Sequence, residues 1–466
     1  MTFLLAILLL TGIVWGAVFA TRGSLVVGCL TLLVLGYVCG HNFINFDLGP
    51  LPLTIDRLVL GGLIGIYIAQ WGLRGVDHKR WTWVEYTLAA FLLLLVVSTF
   101  THDWRLSAPG KISPLWLLVA GYITPGILYF LARDAQLHER NLIAAYATLT
   151  LLGLYLAVTA LAEVSEQWWL VYPKYIADPT LGIHYGRARG PMLQSHSLGF
   201  YLVMGLLCAW AWWRTRESRG GQLALMVLMP LFLAAIFFTY TRSIWIGAAL
   251  AAFVVLSLSL YGAWRPLALI TTLGVGLVVT VVGWDSIVGI EREAGAVAAR
   301  DSVSQRGAFT YVSWQMFLDR PLLGFGFGQF TDAKLPYLAD RSTSLYLEAI
   351  RVQPHHNTFL SLLTETGLIG LGLFLALYAG WAWRGWQLVR DPNSSSLVRT
   401  QGILLLAALA FYLGPATFFD LTYSPNDHWI LFFLAGLTTG LKPTEREALA
   451  PQAAPLRSPS QMVVVR

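Results

Sequence analysis

Apolar residues follow one another in runs of about twenty along almost the whole chain, and a run of that length crosses a hydrocarbon core as one α-helix. Candidate spans fall near 2–20, 24–42, 56–73, 82–100, 115–132, 142–163, 191–213, 223–239, 243–261, 266–284, 357–381, 400–419 and 428–441. Composition agrees: 56% of the 466 residues are hydrophobic and only 12% are charged, about half the charge of a soluble domain. A soluble protein of this length could not cover so much apolar surface with so few charges. Disorder, coiled coil and nucleic-acid binding are excluded on the same grounds. The expected fold is all-α, a polytopic transmembrane helical bundle of about 12–13 spans with one large folded loop.

Two segments interrupt the rhythm of short turns, 164–190 and the longer 285–356. The second carries seven Lys/Arg against eight Asp/Glu, so it is no polybasic patch, and its stretch 304–318 reads as helix. A loop of that length with apolar content of its own is usually folded and functional. The domain reading is therefore ten N-terminal spans over 1–284, a large loop over 285–356, C-terminal spans over 357–441, and a polar, Ala/Pro-rich tail over 442–466 expected to be disordered. Arg/Lys-rich turns at 74–80, 133–141, 214–222 and 382–399 fall on one side, which makes both large loops external by the positive-inside rule. Thirteen spans would put the N-terminus outside and twelve would put it inside. The first apolar run has no preceding Lys or Arg and reads as a retained span rather than a signal peptide. Cys29, Cys39 and Cys208 all lie in apolar runs, which points to neither a disulfide framework nor a zinc cluster.

Four external features carry candidate chemistry: 186–191 with Arg187 and Arg189, 239–243 with Arg242, 304–328 with Arg306, and 355–370 with His355, His356, Asn357 and Glu365. Arginine at the external end of a span runs against the charge trend. One explanation is snorkelling or a structural ion pair. The sharper one is convergence of Arg189, Arg242 and Arg306 on a phosphate group, since guanidinium offers a permanent charge and a bidentate fork. A histidine at a helix start is more often a packed polar group than a base, yet here two sit beside the Arg-bearing loop, and imidazole takes a proton near neutral pH. Glu365, deeper in its span, reads as a structural partner within the bundle. The GFGFG run at 324–328 lacks the βαβ context of a nucleotide loop, no Asp-x-Asp pair is present to hold a divalent metal, and Gly61-x-x-x-Gly65 reads as a helix-packing signal.

Taken in order, TRSIWIG (241–247), QRGAFTYVSWQMF (305–317), DRPLLGFGFG (319–328) and HNTFLSLLTETGLIG (356–370), with RARGP (187–191) upstream, resemble the core of the O-antigen ligase and polymerase superfamily. The likeness covers about 187–370. It implies a bacterial inner-membrane enzyme with a periplasmic site, in cell-surface polysaccharide biosynthesis. The donor would be an undecaprenyl diphosphate-linked glycan and the acceptor a hydroxyl of lipid A-core, another glycan or a protein side chain. It also implies metal-independent, inverting transfer with no cofactor. His356 would be the base, Arg189, Arg242 and Arg306 would bind diphosphate, and Arg187, His355, Asn357, Arg351 and Glu365 would support them. Two departures stand out: His355 precedes His356, and 194–196 reads Gln194-Ser195-His196 where relatives often carry Asn. Diphosphate is already a good leaving group, so a base and charge neutralisation suffice where glycosidases need two carboxylates. The competing class is a transporter or flippase of a lipid-linked anion, which would place its charges at mid-membrane in repeated halves. Here no repeat is visible and the charges gather at one face.

Overall fold

The computed structural model describes residues 23–39, 45–46, 53–74, 79–104, 112–182, 185–260 and 295–441, with a few isolated positions between 262 and 274. The expected span 2–20, all of the expected span 266–284 but a few isolated positions, and the 442–466 tail lie outside the described residues. The architecture is all-α and polytopic: α1 (Leu25–Val38), α2 (Ile55–Arg74), α3 (Trp83–Phe100), α4 (Pro114–Asp134), α5 (Glu139–Val164), α6 (Ser195–Thr215), α7 (Arg219–Phe238), α8 (Arg242–Ser259), α9 (Gly295–Asp319), α10 (Thr358–Arg390), α11 (Ser396–Phe418) and α12 (Pro425–Gly440). Seven of them, α3, α4, α5, α7, α8, α10 and α11, are long and apolar enough to cross a membrane. One two-residue antiparallel ladder, Asn45↔Thr54 and Phe46↔Leu53, lies between α1 and α2.

α12 is buried over its whole length, as a helix without a polar face must be when it sits at the centre of a bundle. Gly436 and Gly440 let it approach the α4 backbone at Tyr129 and Arg133. α8 and α11 meet just as closely, with Gly247 against Phe411 and Gly414 against Ser243. Gly61 and Gly65 do not serve this way. Among the described residues a Cβ at either would meet nothing within 4 Å, so no partner helix for that pair is described.

Neighbouring helices alternate in direction, so one end of the bundle, here called the mouth, gathers Phe100, Pro114, Val164, Ser195, Phe238, Arg242, Thr358, Phe418 and Pro425. At the opposite end Arg133 bonds Glu85 at 3.0 Å and Asp134 at 2.7 Å, and Lys79 donates to the Arg133 and Gly440 carbonyls. Several span boundaries differ from the sequence expectation by three residues or more, and two of the differences bear on the site and the loops. The seventh span starts at Ser195 rather than 191, because Gly190 (φ 60°) and Leu193 (φ 54°) hold the chain out of helical geometry. The 382–399 turn shortens to 391–395, because α10 continues to Arg390.

α10 is interrupted once. Gly367 has φ 65° and ψ −164°, which ends one helical segment and starts another. A break inside an apolar helix orphans carbonyls and N–H groups, each costing several kcal/mol if left in hydrocarbon. The 319–328 segment supplies the partners. Phe325 and Gly326 donate to the Thr364 and Glu365 carbonyls at 3.0 and 2.9 Å, and Leu368 and Ile369 donate to the Pro321 and Leu322 carbonyls at 2.8 and 3.3 Å. A Cβ on Gly367 would stand 2.3 Å from Leu322 backbone atoms, so glycine is required by space as well as by φ.

Candidate active site

The mouth is organised around the end of α11. Asn357 caps α10 by accepting the Leu360 N–H, and its Nδ2 donates to the Thr417 carbonyl at 2.8 Å. Thr358 donates to the Phe419 carbonyl through both its N–H and its hydroxyl. The Arg306 guanidinium, carried in by α9, lies 5.1 Å over the Phe418 ring. His196 stacks on Phe419, centroids 4.3 Å apart and 12° from parallel, and bonds Ser424 Oγ at 2.8 Å. Arg242 opens α8 beside Ser243, whose carbonyl lies 2.5 Å from where a Cβ on Gly414 would stand. One helix end thus gathers contributions from α6, α8, α9 and α10 that are far apart in sequence.

The two histidines have different chemistry. His355 is buried between Phe309 and Phe330. Its Nδ1 accepts the Asn357 N–H at 3.2 Å, which leaves Nε2 to donate to Ser313 Oγ at 2.8 Å. Burial, helped by the charges of His356 and Lys334, pushes its pKa down to about 3, so it is a neutral packing group. His356 is half-buried and stacked on Phe309 at 4.9 Å. Its Nδ1 lies 2.9 Å from the Pro354 carbonyl, which can only accept. The ring proton therefore sits on Nδ1, and Nε2 keeps the lone pair of a base. Desolvation, with Arg306 and Lys334 adding to it, holds its pKa below the usual value against the two backbone hydrogen bonds that raise it. The imidazole is neutral at pH 7, as a base must be.

The arginines also divide. Arg189 is wholly buried. Its Nε bonds Glu163 at 3.3 Å, its terminal nitrogens donate to the Leu181 and Ile176 carbonyls at 2.7 and 2.9 Å, and its guanidinium covers Tyr185. It ties the 176–190 loop to the end of α5. Arg306 is exposed and Arg242 half-exposed at the mouth. Arg187 is half-buried in the same loop as Arg189, and Arg351 is exposed and paired bidentately with Glu348 at 2.7 and 3.0 Å. Glu365 is buried, and its two oxygens accept the Gly328 and Phe330 N–H groups at 2.8 and 3.1 Å. Among the described residues no three His, Cys, Asp or Glu side chains cluster as metal ligands.

Sequence reasoning passed over two residues of this site. His196 stands out in the sequence only as a departure at 194–196, although it stacks on Phe419. Lys334 is buried over the Phe330 ring and donates to the Gln353 carbonyl, one residue before the Pro354 carbonyl that orients His356. Nothing in the local pattern marked Lys334, because its importance comes from packing against a turn nineteen residues away.

Residues 224–375, which run from α7 through the break in α10, match the family model for O-antigen ligase. The match supports the O-antigen ligase superfamily and a glycan transferase of ligase or polymerase type, in a multi-pass membrane protein. No curated protein matches the chain.

Proposed function

Starting from the O-antigen ligase superfamily, we propose that the protein transfers a glycan from undecaprenyl diphosphate to an acceptor hydroxyl at the periplasmic face of the bacterial inner membrane. The observation that carries the mechanism is the His356 tautomer: with the proton on Nδ1 held by Pro354, Nε2 takes the acceptor proton as the new C–O bond forms. The glycosyl C–O bond to diphosphate breaks on the opposite face of the sugar, with inversion. Arg306 and Arg242 neutralise the departing diphosphate, and no metal is required. Arg189 holds the 176–190 loop in place against α5. The division of labour among the arginines follows from their partners: Arg189 spends its donors on Glu163 and backbone carbonyls, while Arg306 meets only an aromatic face among the contacts resolved for it. The matching family model is described as O-antigen ligase, and on that description alone the acceptor is read as lipid A-core. A polymerase or protein O-oligosaccharyltransferase would use the same chemistry on another hydroxyl.

The test is transfer by purified protein from a lipid-diphosphate glycan. His356→Ala is expected to lose about 10²–10⁴-fold in rate while inserting and accumulating normally. A fully active variant removes His356 as the base. Deletion of the protein, followed by surface-glycan analysis, separates the roles. Intact polymer left on its lipid carrier marks a ligase, and single repeat units on the acceptor mark a polymerase.

A further inference from the structure

α9 has two faces. Its inner face, with Ala308, Phe309, Val312, Ser313 and Met316, packs the loop core and holds both histidines. Its opposite edge runs Arg306, Thr310, Trp314, Leu318 at helical spacing, all exposed, and the chain then turns through Leu322 (62% exposed) and Leu323 (60%). A stretch read from sequence as part of a water-facing loop should not present Trp314, Leu318, Leu322 and Leu323 together.

Position explains them. The 321–323 turn is hydrogen-bonded into the break of α10, at Leu368 and Ile369, so its height along the bundle is fixed by a membrane-spanning helix. Leu368, Ile369, Leu375 and Trp383 form the exposed apolar edge of α10 below that point. From Trp383 to Leu368 this edge is about 22 Å long at ~1.5 Å per residue, short of a hydrocarbon core of about 30 Å. Leu322, Leu323, Leu318 and Trp314 continue it upward, and a tryptophan at the top matches the interfacial preference of that side chain. The two charges within this stretch, both exposed, each have a partner in the loop. Asp319 accepts the Tyr337 hydroxyl, and the Arg320 guanidinium lies 4.7 Å over Phe325.

We propose that the outer edge of α9 and the 321–323 turn form a membrane-embedded surface whose partner is the hydrocarbon of bilayer lipid. The surface moors the helix that carries Arg306 and stacks His356, and so sets the height of both above the hydrocarbon. The inference rests on the membrane-spanning fold and not on the transfer chemistry.

The test is spin-label accessibility in the full chain reconstituted in lipid nanodiscs, with Cys29, Cys39 and Cys208 replaced by alanine. Nitroxide is placed at Leu322→Cys, Leu323→Cys and Trp314→Cys in separate proteins. Leu375→Cys provides a lipid reference, and Val352→Cys, 84% exposed on the loop, a water reference. Labels at 322 and 323 are expected to collide with oxygen as Leu375→Cys does and to be shielded from a water-soluble nickel complex. Nickel accessibility matching that of Val352→Cys overturns the proposal, because the turn is then in water. Low accessibility to both reagents also overturns it, because protein covers the surface instead. If one labelled variant fails to accumulate, the other two positions decide the same question.

Discussion

The carboxylate of Glu365, inside α10, accepts the backbone N–H of Gly328 at 2.8 Å, from a segment thirty-seven residues earlier in the chain. Its other oxygen takes the Phe330 N–H. One buried acid thus fastens the glycine-rich turn into the interrupted helix, and the turn in turn satisfies the backbone that the interruption exposes.

Glu365→Leu should therefore act on the fold. Two buried N–H groups lose their acceptor, at about 1–3 kcal/mol each. Gly367→Ala should be at least as damaging, since a Cβ there meets the Leu322 backbone. Thermal unfolding in detergent is expected to drop clearly for both, and unchanged melting would show that the turn is held by other contacts.

Arg189 and Arg306 should respond oppositely to substitution. Arg189→Met leaves Glu163 buried without its cation, at a cost on the order of 3–5 kcal/mol, and should be read first as lost accumulation in the membrane. Arg306→Lys and Arg242→Lys keep charge but lose the fork, so turnover should fall roughly 10–150-fold in each, with melting unaltered for Arg306→Lys. Near-normal rates in both Lys variants would leave the diphosphate role without support.

The rate should keep its neutral-pH value below pH 6.5. A base must be unprotonated, and burial, reinforced by Arg306 and Lys334, holds the His356 pKa under that figure. The acid limb of the pH–rate profile therefore lies below 6.5. Lys334→Met removes a positive charge, makes protonation easier and should move the limb upward towards 6.5. Arg306→Gln should do the same on top of its slower rate. A limb above 6.5 in the parent protein, or a downward move in either variant, contradicts the assignment.

Activity is expected to survive excess EDTA, because guanidinium groups at Arg306 and Arg242 supply the charge that a cation would otherwise bring. Loss on chelation with recovery on adding Mg²⁺ or Mn²⁺ would count against a metal-free site.

Seven membrane-crossing helices, the short connection within 239–243 and the helix over 304–318 are legible in the sequence, because hydrophobic length and periodicity are local properties. Order and spacing of the motifs also pointed to the family before any geometry was known. Less was legible at the site. Three arginines are alike in the sequence, and only the resemblance to the family, not the local pattern, singles out His356 from its neighbour. Glu163, which commits the loop residue Arg189, is twenty-six residues upstream at the end of α5, and Ser313, which binds His355, lies forty-two residues before it.

Hydropathy along the chain places it in a bilayer and marks which segments gather its polar chemistry. Transfer of apolar side chains from water is additive along the chain, so it can be read residue by residue. Which polar groups the fold consumes, and which stay open at the mouth, depends on how the helices pack. A buried donor or acceptor must find a partner, and that partner is set by helix packing and by a glycine-rich turn inserted into a broken helix, not by neighbours in sequence. Arg189 and Glu365 are residues of the scaffold for this reason, while His356 and Arg306 face the mouth.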